Sequence, residues 1–186
     1  MEQIKTKRLL LTEANPSDLP ALEEIERECD AYFSFDPPCA AEHNRALQEC
    51  LTMGDIIPGV SRQDYKRENY RLYCIWKDDA LIGWLSLYLE YQEKDTAYLS
   101  VLYIKEACRS SGIGAEIIEA VTRRLASAHV QRIMAHCSLR NALALRFWVK
   151  HGFHQITEVT CDGNLYPSKF GGMGLMKVIA PDERHG

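Results

Sequence analysis

The chain turns from strand to helix at Arg109-Ser110-Ser111-Gly112-Ile113-Gly114-Ala115. A strand-like run ends shortly before this segment at Ile104, and a helical pattern begins at Ile113. Glycine lets the backbone approach a ligand with no Cβ in the way, and the first amides of a helix are free donors at the positive end of its dipole. The segment therefore predicts an anion site, for which a pyrophosphate is the natural occupant.

Three other interpretations of the same segment compete with this one. A dinucleotide-binding turn requires a third glycine, but Ile117 stands at that position. A Walker A turn requires Lys and then Ser or Thr after its second glycine, where the chain has Ala115-Glu116. The third interpretation, a helix that merely begins at a glycine turn, stays open, because a lone Gly-x-Gly pair is weak evidence.

Periodicity and turn residues on both sides of this segment predict a mixed α+β fold. A helix should begin at Asn15-Pro16-Ser17-Asp18, where a capping side chain precedes a proline at a first helical position. Further helices are predicted over 40–53, 113–128 and 141–150. Strands are predicted over 4–12, 71–76, 81–90, 97–104, 133–137, 156–161 and 172–179.

Length and composition predict one globular domain over 1–186 with no recruitment of nucleic acid or membrane. Apolar residues make up 46% of the chain, and 22 basic against 26 acidic residues give a net charge of −4. Seven scattered cysteines without a Cys-x-x-Cys pair predict neither a disulfide framework nor a metal site, but reduced thiols in the cytoplasm. The short apolar run 9–11 is too short for a signal peptide or a membrane span.

A second motif follows downstream as Asn141-x-x-Ala144-x-x-Phe147-Trp148-x-x-x-Gly152-Phe153. Together with Arg109-x-x-Gly112-x-Gly114, it resembles the paired signatures of the GNAT superfamily of acyl-CoA-dependent N-acyltransferases. The first of those signatures reads R/Q-x-x-G-x-G/A. The resemblance extends from about residue 4 to residue 179, and it is weakest over 30–70. Thr6-Lys7-Arg8-Leu9-Leu10-Leu11 and Gly83 also stand where the family has its first strand and a glycine-bearing strand.

The resemblance implies a GNAT-like fold with a central, mostly antiparallel, twisted sheet of about seven strands, helices on both faces and a splay at the acyl-CoA site. It implies acetyl-CoA (coenzyme A) as the cofactor, with its pantetheine arm along the main chain of Leu102 and Ile104. The amides from Ser110 to Ala115 would hold the pyrophosphate. Further cofactor contacts would come from Arg109, Asn141, Phe147 and Trp148.

For the reaction, the resemblance implies transfer of an acetyl group to a primary amine by direct attack in a ternary complex. Many relatives have a tyrosine acid at the position of Trp148, whose indole cannot protonate a thiolate; a thiol with a pKa of about 8.5 leaves without such help. Tyr98 stands where several relatives have a glutamate base, and Glu90 is among the nearest carboxylates by sequence. Tyr98, Glu90 and Trp148 are therefore the catalytic candidates, while Cys108 and His136 are weaker alternatives.

The acceptor groove implied by the resemblance combines aromatic residues with scattered acids, which suits a cationic amine. Its residues are Tyr32, Phe33, Phe35, Asp36, Glu42, Tyr65, Asp162 and Tyr166. The acceptor is either a small-molecule amine or a protein N-terminus, and a homodimer is left open. Two rival functions are a non-catalytic acyl-CoA-binding sensor of the same fold and a nucleotide-binding α/β protein.

Overall fold

The computed structural model describes residues 3–30, 46–161 and 171–179. These residues form one eight-stranded sheet with the order β1-β2-β3-β4-β5-β6-β8-β7, in which only β5 and β6 are parallel neighbours. The strands are β1 (Ile4–Lys5), β2 (Leu10–Glu13), β3 (Tyr70–Lys77), β4 (Ala80–Leu89), β5 (Thr96–Ile104), β6 (Arg132–Ser138), β7 (Gln155–Cys161) and β8 (Gly171–Val178). The helices are α1 (Leu19–Asp30), α2 (Leu47–Met53), α3 (Ile113–Ala126) and α4 (Ala142–Lys150).

The predicted mixed α+β plan is confirmed, with one strand more than the seven expected. The run 4–12, predicted as one strand, folds back on itself instead. The Thr6 amide donates to the Leu9 carbonyl (2.9 Å), and β1 pairs antiparallel with β2. The period-2 pattern of a strand does not by itself show where the chain reverses, so the sequence did not reveal this hairpin.

Two predicted helix boundaries follow the sequence signals. Asn15 caps a short 3-10 turn over Pro16–Asp18 through a capping box with Asp18, and α1 continues from there. Gly54 ends α2 in a left-handed conformation (φ +75°), as a glycine after a helix commonly does. The first part of the predicted helix 40–53 lies outside the described residues.

Side chains alternate between the two faces of the sheet, and helices cover both. On β4, Ile82 and Leu85 join the core cluster that includes α3 and Trp148 of α4, whereas Trp84 and Tyr88 join the cluster beneath α1 and α2. Helices therefore lie on both faces, as expected for this fold. Within the described residues, every helix is too short or too polar to span a lipid bilayer.

The sheet splays between β5 and β6. The parallel pairing runs only from Thr96 with Arg132 to Leu99 with Ala135, although β5 continues to Ile104. On its other side β5 stays paired with β4 as far as Ile104, across a bulge that leaves Ser100 as the extra residue. The predicted splay is confirmed, and it begins at the bulge.

Gly83 is required where β4 meets the end of β5. A Cβ on this residue would lie 2.2 Å from the backbone oxygen of Tyr103 and 3.2 Å from the Cα of Ile104. Only glycine allows the two strands to approach this closely. The tight pairing fixes Ile104 at the point where the chain leaves the sheet for the glycine turn.

Candidate functional site

Beyond Leu99, β5 presents main-chain groups to the open side of the splay. Lys105 N–H donates to the Ile82 carbonyl (2.8 Å), so the main-chain N–H of Lys105 points toward β4. Hydrogen-bonded residues alternate along an antiparallel strand pair. The main-chain groups of Leu102 and Ile104 therefore point away from β4, into the splay. The two residues predicted to pair with an extended ligand thus lie where β5 borders the splay.

The segment 109–115, hereafter the glycine turn, places a helix N-terminus directly after this edge. Ser110 (φ +58°) and Gly112 (φ +81°) are both left-handed, and residues 110–112 are exposed. No described side chain caps α3, and its first helical hydrogen bond runs from Glu116 N–H to the Gly112 carbonyl (3.1 Å). The amides of Ile113, Gly114 and Ala115 therefore have no intrahelical partner and fit an anion.

The two glycines of this turn have different physical roles. Gly112 adopts a backbone conformation that disfavours a side chain, and open space lies beside it except for the Arg8 Nη2 atom, 3.5 Å from an added Cβ. At Gly114 a Cβ would lie 2.9 Å from Cε2 of Phe147. Close ligand approach was expected at both glycines, but the space at Gly114 is taken by the ring of Phe147, so this glycine lets α3 pack against α4.

Arg109 folds back onto the strand that precedes it. Its Nε atom donates to the Ile104 carbonyl (2.8 Å), so the guanidinium stays at the junction of the splay and the glycine turn. Ser111 donates its hydroxyl to the Cys108 carbonyl (2.6 Å), which holds the turn closed. Arg109 is thus close to the predicted anion site.

A group from the N-terminal hairpin also reaches the glycine turn, and sequence reasoning missed it. Arg8 donates through Nη1 to the Ser111 carbonyl (3.0 Å) and through Nε to Oε2 of Glu116 (2.6 Å). The Thr6 hydroxyl and the Arg8 amide both donate to Oε1 of the same carboxylate. We call Thr6, Arg8 and Glu116 the hairpin latch. Its partners are more than 100 residues apart, so no local pattern indicates it.

The hairpin latch favours the charged form of Glu116. Burial by itself would raise the pKa of this carboxyl, but the hydrogen bonds from Thr6 and Arg8 and the positive charge of Arg8 outweigh it and hold the pKa below its usual value. A lowered pKa in the folded state contributes stability at neutral pH. That contribution is lost as the pH falls through the folded-state pKa.

Glu116→Gln is therefore expected to lower the melting temperature at pH 7, and the deficit should shrink progressively below about pH 4.3, the usual glutamate value. Thermal melts of the variant and the parent protein between about pH 3 and pH 8 measure this difference. Glu119→Gln is the matched control on the same helix, since the ion pair of Glu119 with Arg123 is exposed. If the melting temperature of Glu116→Gln were below that of the parent by the same amount at every pH, the stabilising role of the Glu116 charge would be contradicted.

The second motif begins as the sequence predicts. Oδ1 of Asn141 accepts from the Ala144 amide (3.0 Å) and caps α4, and the residue is buried. Phe147 lies between Gly114, Trp148 and His151 at the interface of α3 and α4. Both residues thus lie on elements that border the splay.

Trp148 is a core residue. It is 8% exposed, and its ring makes edge contacts with Phe147 and Phe153 at centroid distances of 5.1 and 4.9 Å. Packing accounts for the large aromatic ring at this position. Since an indole N–H does not ionise at neutral pH, this placement argues against a catalytic role.

Tyr98 lies on the opposite face of the sheet, beneath α1 and α2. It is 5% exposed, stacks on Tyr91 with ring centroids 4.8 Å apart, and precedes the bulge by two residues. Burial is the main cause that raises the pKa of its phenol above the usual value, and nearby negative charge raises it further. Tyr98 is therefore close to the bulge but stays protonated, which argues against a role as base.

Glu90 is not brought to the bulge. It follows the end of β4, level with Thr96 at the start of β5, as the hydrogen bond from Tyr91 N–H to the Thr96 carbonyl shows. Four residues of strand separate this position from Ser100, or about 13 Å. The Glu90 carboxylate instead accepts from Lys66 Nζ (3.1 Å) and Asn69 Nδ2 (3.4 Å), and both bonds lower its pKa. This placement argues against the catalytic role expected for it.

The remaining candidates are scattered. Cys108 is half-buried beside the glycine turn, whereas exposed His136 lies against Gly172 on β8 and within 3.4 Å of the Thr160 hydroxyl. Of the expected acceptor groove, only Tyr65 belongs to the described residues; its ring is 5.2 Å from that of Tyr88. The other seven groove residues lie outside the described residues.

Comparisons with known proteins agree with this geometry. The family model described as the acetyltransferase (GNAT) family matches residues 21–153. No curated protein matches the chain.

Similar solved structures cover nearly the whole chain at low sequence identity. An acetyltransferase from Salmonella typhimurium that modifies the N-terminal serine of a 50S ribosomal subunit protein has a TM-score of 0.70 at 17% identity, over 96% of this chain and 100% of that one. RimL, a ribosomal α-N-protein acetyltransferase in complex with coenzyme A, has a TM-score of 0.68 at 16% identity, over 97% of this chain and 100% of that chain. An acetyltransferase from Thermus thermophilus has a TM-score of 0.64 at 22% identity, over 95% of this chain and 99% of that one.

At these identities the solved structures show a shared fold and nothing finer. The match to the family model is stronger, because it spans most of the chain, from the start of α1 through both motifs to the third residue after α4. The splayed β5 edge, the exposed glycine turn and the capped α4 all lie within the matched range. The chain therefore belongs to the acetyltransferase (GNAT) family.

Proposed function

We propose that the chain is an acetyl-CoA-dependent N-acetyltransferase that transfers an acetyl group to a primary amine. One observation carries the proposal: the exposed N-terminus of α3, without a capping side chain among the described residues, directly follows a strand whose edge is open for main-chain pairing. The first feature suits a pyrophosphate, and the second suits an extended arm with amide groups. Acetyl-CoA carries both groups on one molecule.

The residues present fit that molecule. The amides of residues 110–115 would hold the pyrophosphate, with the guanidinium of Arg109 beside them. Leu102 and Ile104 would pair with the pantetheine amides through their main chain. The cap residue Asn141 and the rings of Phe147 and Trp148 would border the arm on the α4 side.

Direct transfer within a ternary complex is the simplest mechanism for these residues. When bound, acetyl-CoA supplies an activated thioester whose thiol leaves readily near neutral pH. Cys108 lies beside the glycine turn, but no described histidine lies within hydrogen-bond reach of its thiol, so a covalent acetyl-cysteine step has no support. The protein's part is to hold the two reactants together in the orientation that the attack requires.

The proposed acceptor is either a small-molecule amine or the N-terminal amine of a protein. The second choice has support from the ribosomal-protein acetyltransferases whose fold the chain shares. We place the protein in the cytoplasm, because the five described cysteines Cys50, Cys74, Cys108, Cys137 and Cys161 are all free thiols. We treat 1–186 as one domain, because the described strands form a single sheet. A homodimer stays a prediction.

A second candidate, a non-catalytic acyl-CoA sensor, has one specific observation in its favour. Tyr98 stays protonated, Glu90 lies far from the bulge and Trp148 is in the core, so none of the three expected catalytic residues is suitable. Release of free thiol from acetyl-CoA with a panel of primary amines separates the two functions. Tight binding of acetyl-CoA without thiol release for any amine would establish the sensor.

Arg109→Ala is expected to weaken acetyl-CoA binding by about 1.5–3 kcal/mol, the range for a hydrogen bond to a charged group. Isothermal titration at low salt measures the change, since screening weakens exposed charge interactions. Arg123→Ala is the matched control, because Arg123 lies near the other end of α3 and its ion pair with Glu119 is exposed. Equal affinity for the Arg109 variant and the parent would remove this residue from the site.

A further inference from the structure

One nitrogen of the Arg8 guanidinium is available for a ligand. The hairpin latch uses Nε, which donates to Glu116, and Nη1 donates to the Ser111 carbonyl. Nη2 makes no hydrogen bond to any described residue, and the side chain is 39% exposed. A guanidinium has five N–H donors in a planar fork, so the two contacts that fix Arg8 leave the N–H groups of Nη2 to a ligand.

This nitrogen lies beside the first amide of α3. A Cβ added to Gly112 would lie 3.5 Å from Nη2, and apart from the chain neighbours of Gly112 no other described residue comes within 4 Å of that point. Covalent geometry then places Nη2 within about 7 Å of the Ile113 amide nitrogen. Charge-assisted hydrogen bonds to phosphate oxygens are about 2.8 Å long, so a single phosphate group can accept from both nitrogens.

The charge of Arg8 also changes what a phosphate meets at this helix N-terminus. Glu116 lies in the first turn of α3, where its carboxylate would repel a phosphate bound to the helix amides. Nε of Arg8 pairs with that carboxylate at 2.6 Å, so the guanidinium offsets the negative charge. The same ion pair and the Ser111 contact hold the guanidinium in one orientation, so less side-chain freedom is lost when a phosphate binds.

From this geometry we propose that Arg8 binds the pyrophosphate of coenzyme A directly through Nη2. The inference rests on the proposed N-acetyltransferase function and deepens it, because it adds a binding residue that lies about 100 residues before the first motif. The planar fork of a guanidinium matches phosphate oxygens, and Nη2 and the amides of residues 113–115 would hold the same group. The cofactor would then bind between the N-terminal hairpin and α3 rather than to α3 alone.

The test compares the coenzyme A affinity of two latch variants by isothermal titration at neutral pH and low salt. Arg8→Gln should bind at least about 10-fold more weakly, the effect of one lost hydrogen bond to a charged group. Glu116→Gln breaks the ion pair but keeps the guanidinium and an oxygen for the Thr6 hydroxyl and the Arg8 amide. Its affinity should fall by less than about 2-fold, or rise, because a negative charge beside the phosphates is gone.

Lys5→Gln is the control for charge. It removes the same positive charge from the same hairpin, but Lys5 follows Ile4, which packs in the core cluster with α3, so the exposed Lys5 side chain lies on the other face. We expect less than about a 2-fold change in coenzyme A affinity. A loss in Lys5→Gln as large as that in Arg8→Gln would show that net charge, and not a contact from Arg8, sets the affinity.

Equal losses in Arg8→Gln and Glu116→Gln would assign Arg8 to the latch alone, and normal affinity in Arg8→Gln would remove it from the cofactor site. Either result overturns the inference, while coenzyme A binding by the parent protein leaves the proposed function standing. If the parent protein does not bind coenzyme A, both the inference and the proposed function are wrong.

If Arg8→Gln does not fold, chemical modification of the parent protein decides. Phenylglyoxal reacts with guanidinium groups, and peptide mass spectrometry follows each arginine separately. Saturating coenzyme A should slow the modification of Arg8 at least about 10-fold. Arg123, which is 66% exposed near the other end of α3, should react at the same rate with and without it. Pantetheine, which lacks the pyrophosphate, should leave Arg8 unprotected; equal protection by pantetheine, or none by coenzyme A, would overturn the inference.

Discussion

Gly112→Glu is expected to abolish acetyl-CoA binding while the protein stays folded. The substitution places a carboxylate beside the amides of residues 113–115, where it repels a phosphate and competes for the same donors. Loss of even one charge-assisted hydrogen bond costs about 1.5–3 kcal/mol, so we expect the affinity to fall more than about 100-fold. Isothermal titration with coenzyme A measures the loss, and circular dichroism reports the fold.

The control for this variant is Gly59→Glu. Gly59 has a similar left-handed conformation (φ +73° against +81°), but it lies in the loop between α2 and β3 and faces Tyr91 and Gln92. Both variants carry the backbone penalty of a left-handed side-chain residue, about 1–2 kcal/mol. We expect them to lose similar stability, and only Gly112→Glu to lose coenzyme A. Normal affinity in Gly112→Glu would show that the cofactor's phosphates bind elsewhere.

Gly83→Ala is expected to cost about 3 kcal/mol of unfolding free energy and to weaken coenzyme A binding as well. Its methyl group would lie 2.2 Å from the Tyr103 backbone oxygen, and a backbone atom in a paired strand cannot move away without breaking the pairing. Forcing β4 and β5 apart here displaces Ile104, the last residue of the strand before the glycine turn, where we propose that the cofactor binds. Urea unfolding and coenzyme A titration measure the two effects.

Gly174→Ala provides the comparison. Gly174 also lies within a paired strand, but the atoms that an added Cβ would meet belong to the side chains of Thr157 and Glu158, which are exposed and can rotate away. We expect this variant to lose less than about 1 kcal/mol and to bind coenzyme A normally. Comparable losses in the two alanine variants would show that β4 and β5 are not held as closely as the distance indicates.

Local signals in the sequence were sufficient for most of the fold. The antiparallel meander of β3, β4 and β5 follows from alternation and polar turns, and α3 begins at the residue that its four-residue apolar spacing indicates. The cap at Asn141 and the helix end at Gly54 were also predictable, because each depends on groups within four residues of it.

The features that local signals could not predict depend on distant partners. Arg8 reaches Ser111 only because the hairpin β1–β2 packs beside α3, and nothing near position 8 indicates it. Glu90 was favoured for its nearness in sequence, but two antiparallel strands carry it away from the bulge. Closeness in sequence therefore does not predict closeness in space where the chain reverses direction between antiparallel strands.

The parallel junction of β5 and β6 has a consequence for the protein without cofactor. Only four register pairs join the strands before it to those after it, so within the described residues little backbone pairing holds the two halves of the sheet together at this seam. A molecule lying along Leu102 and Ile104 lengthens the seam by adding its own amides. Ligand binding should then slow the separation of the N-terminal and C-terminal halves of the sheet. We expect hydrogen exchange to slow most at the amides of Leu102 and Ile104.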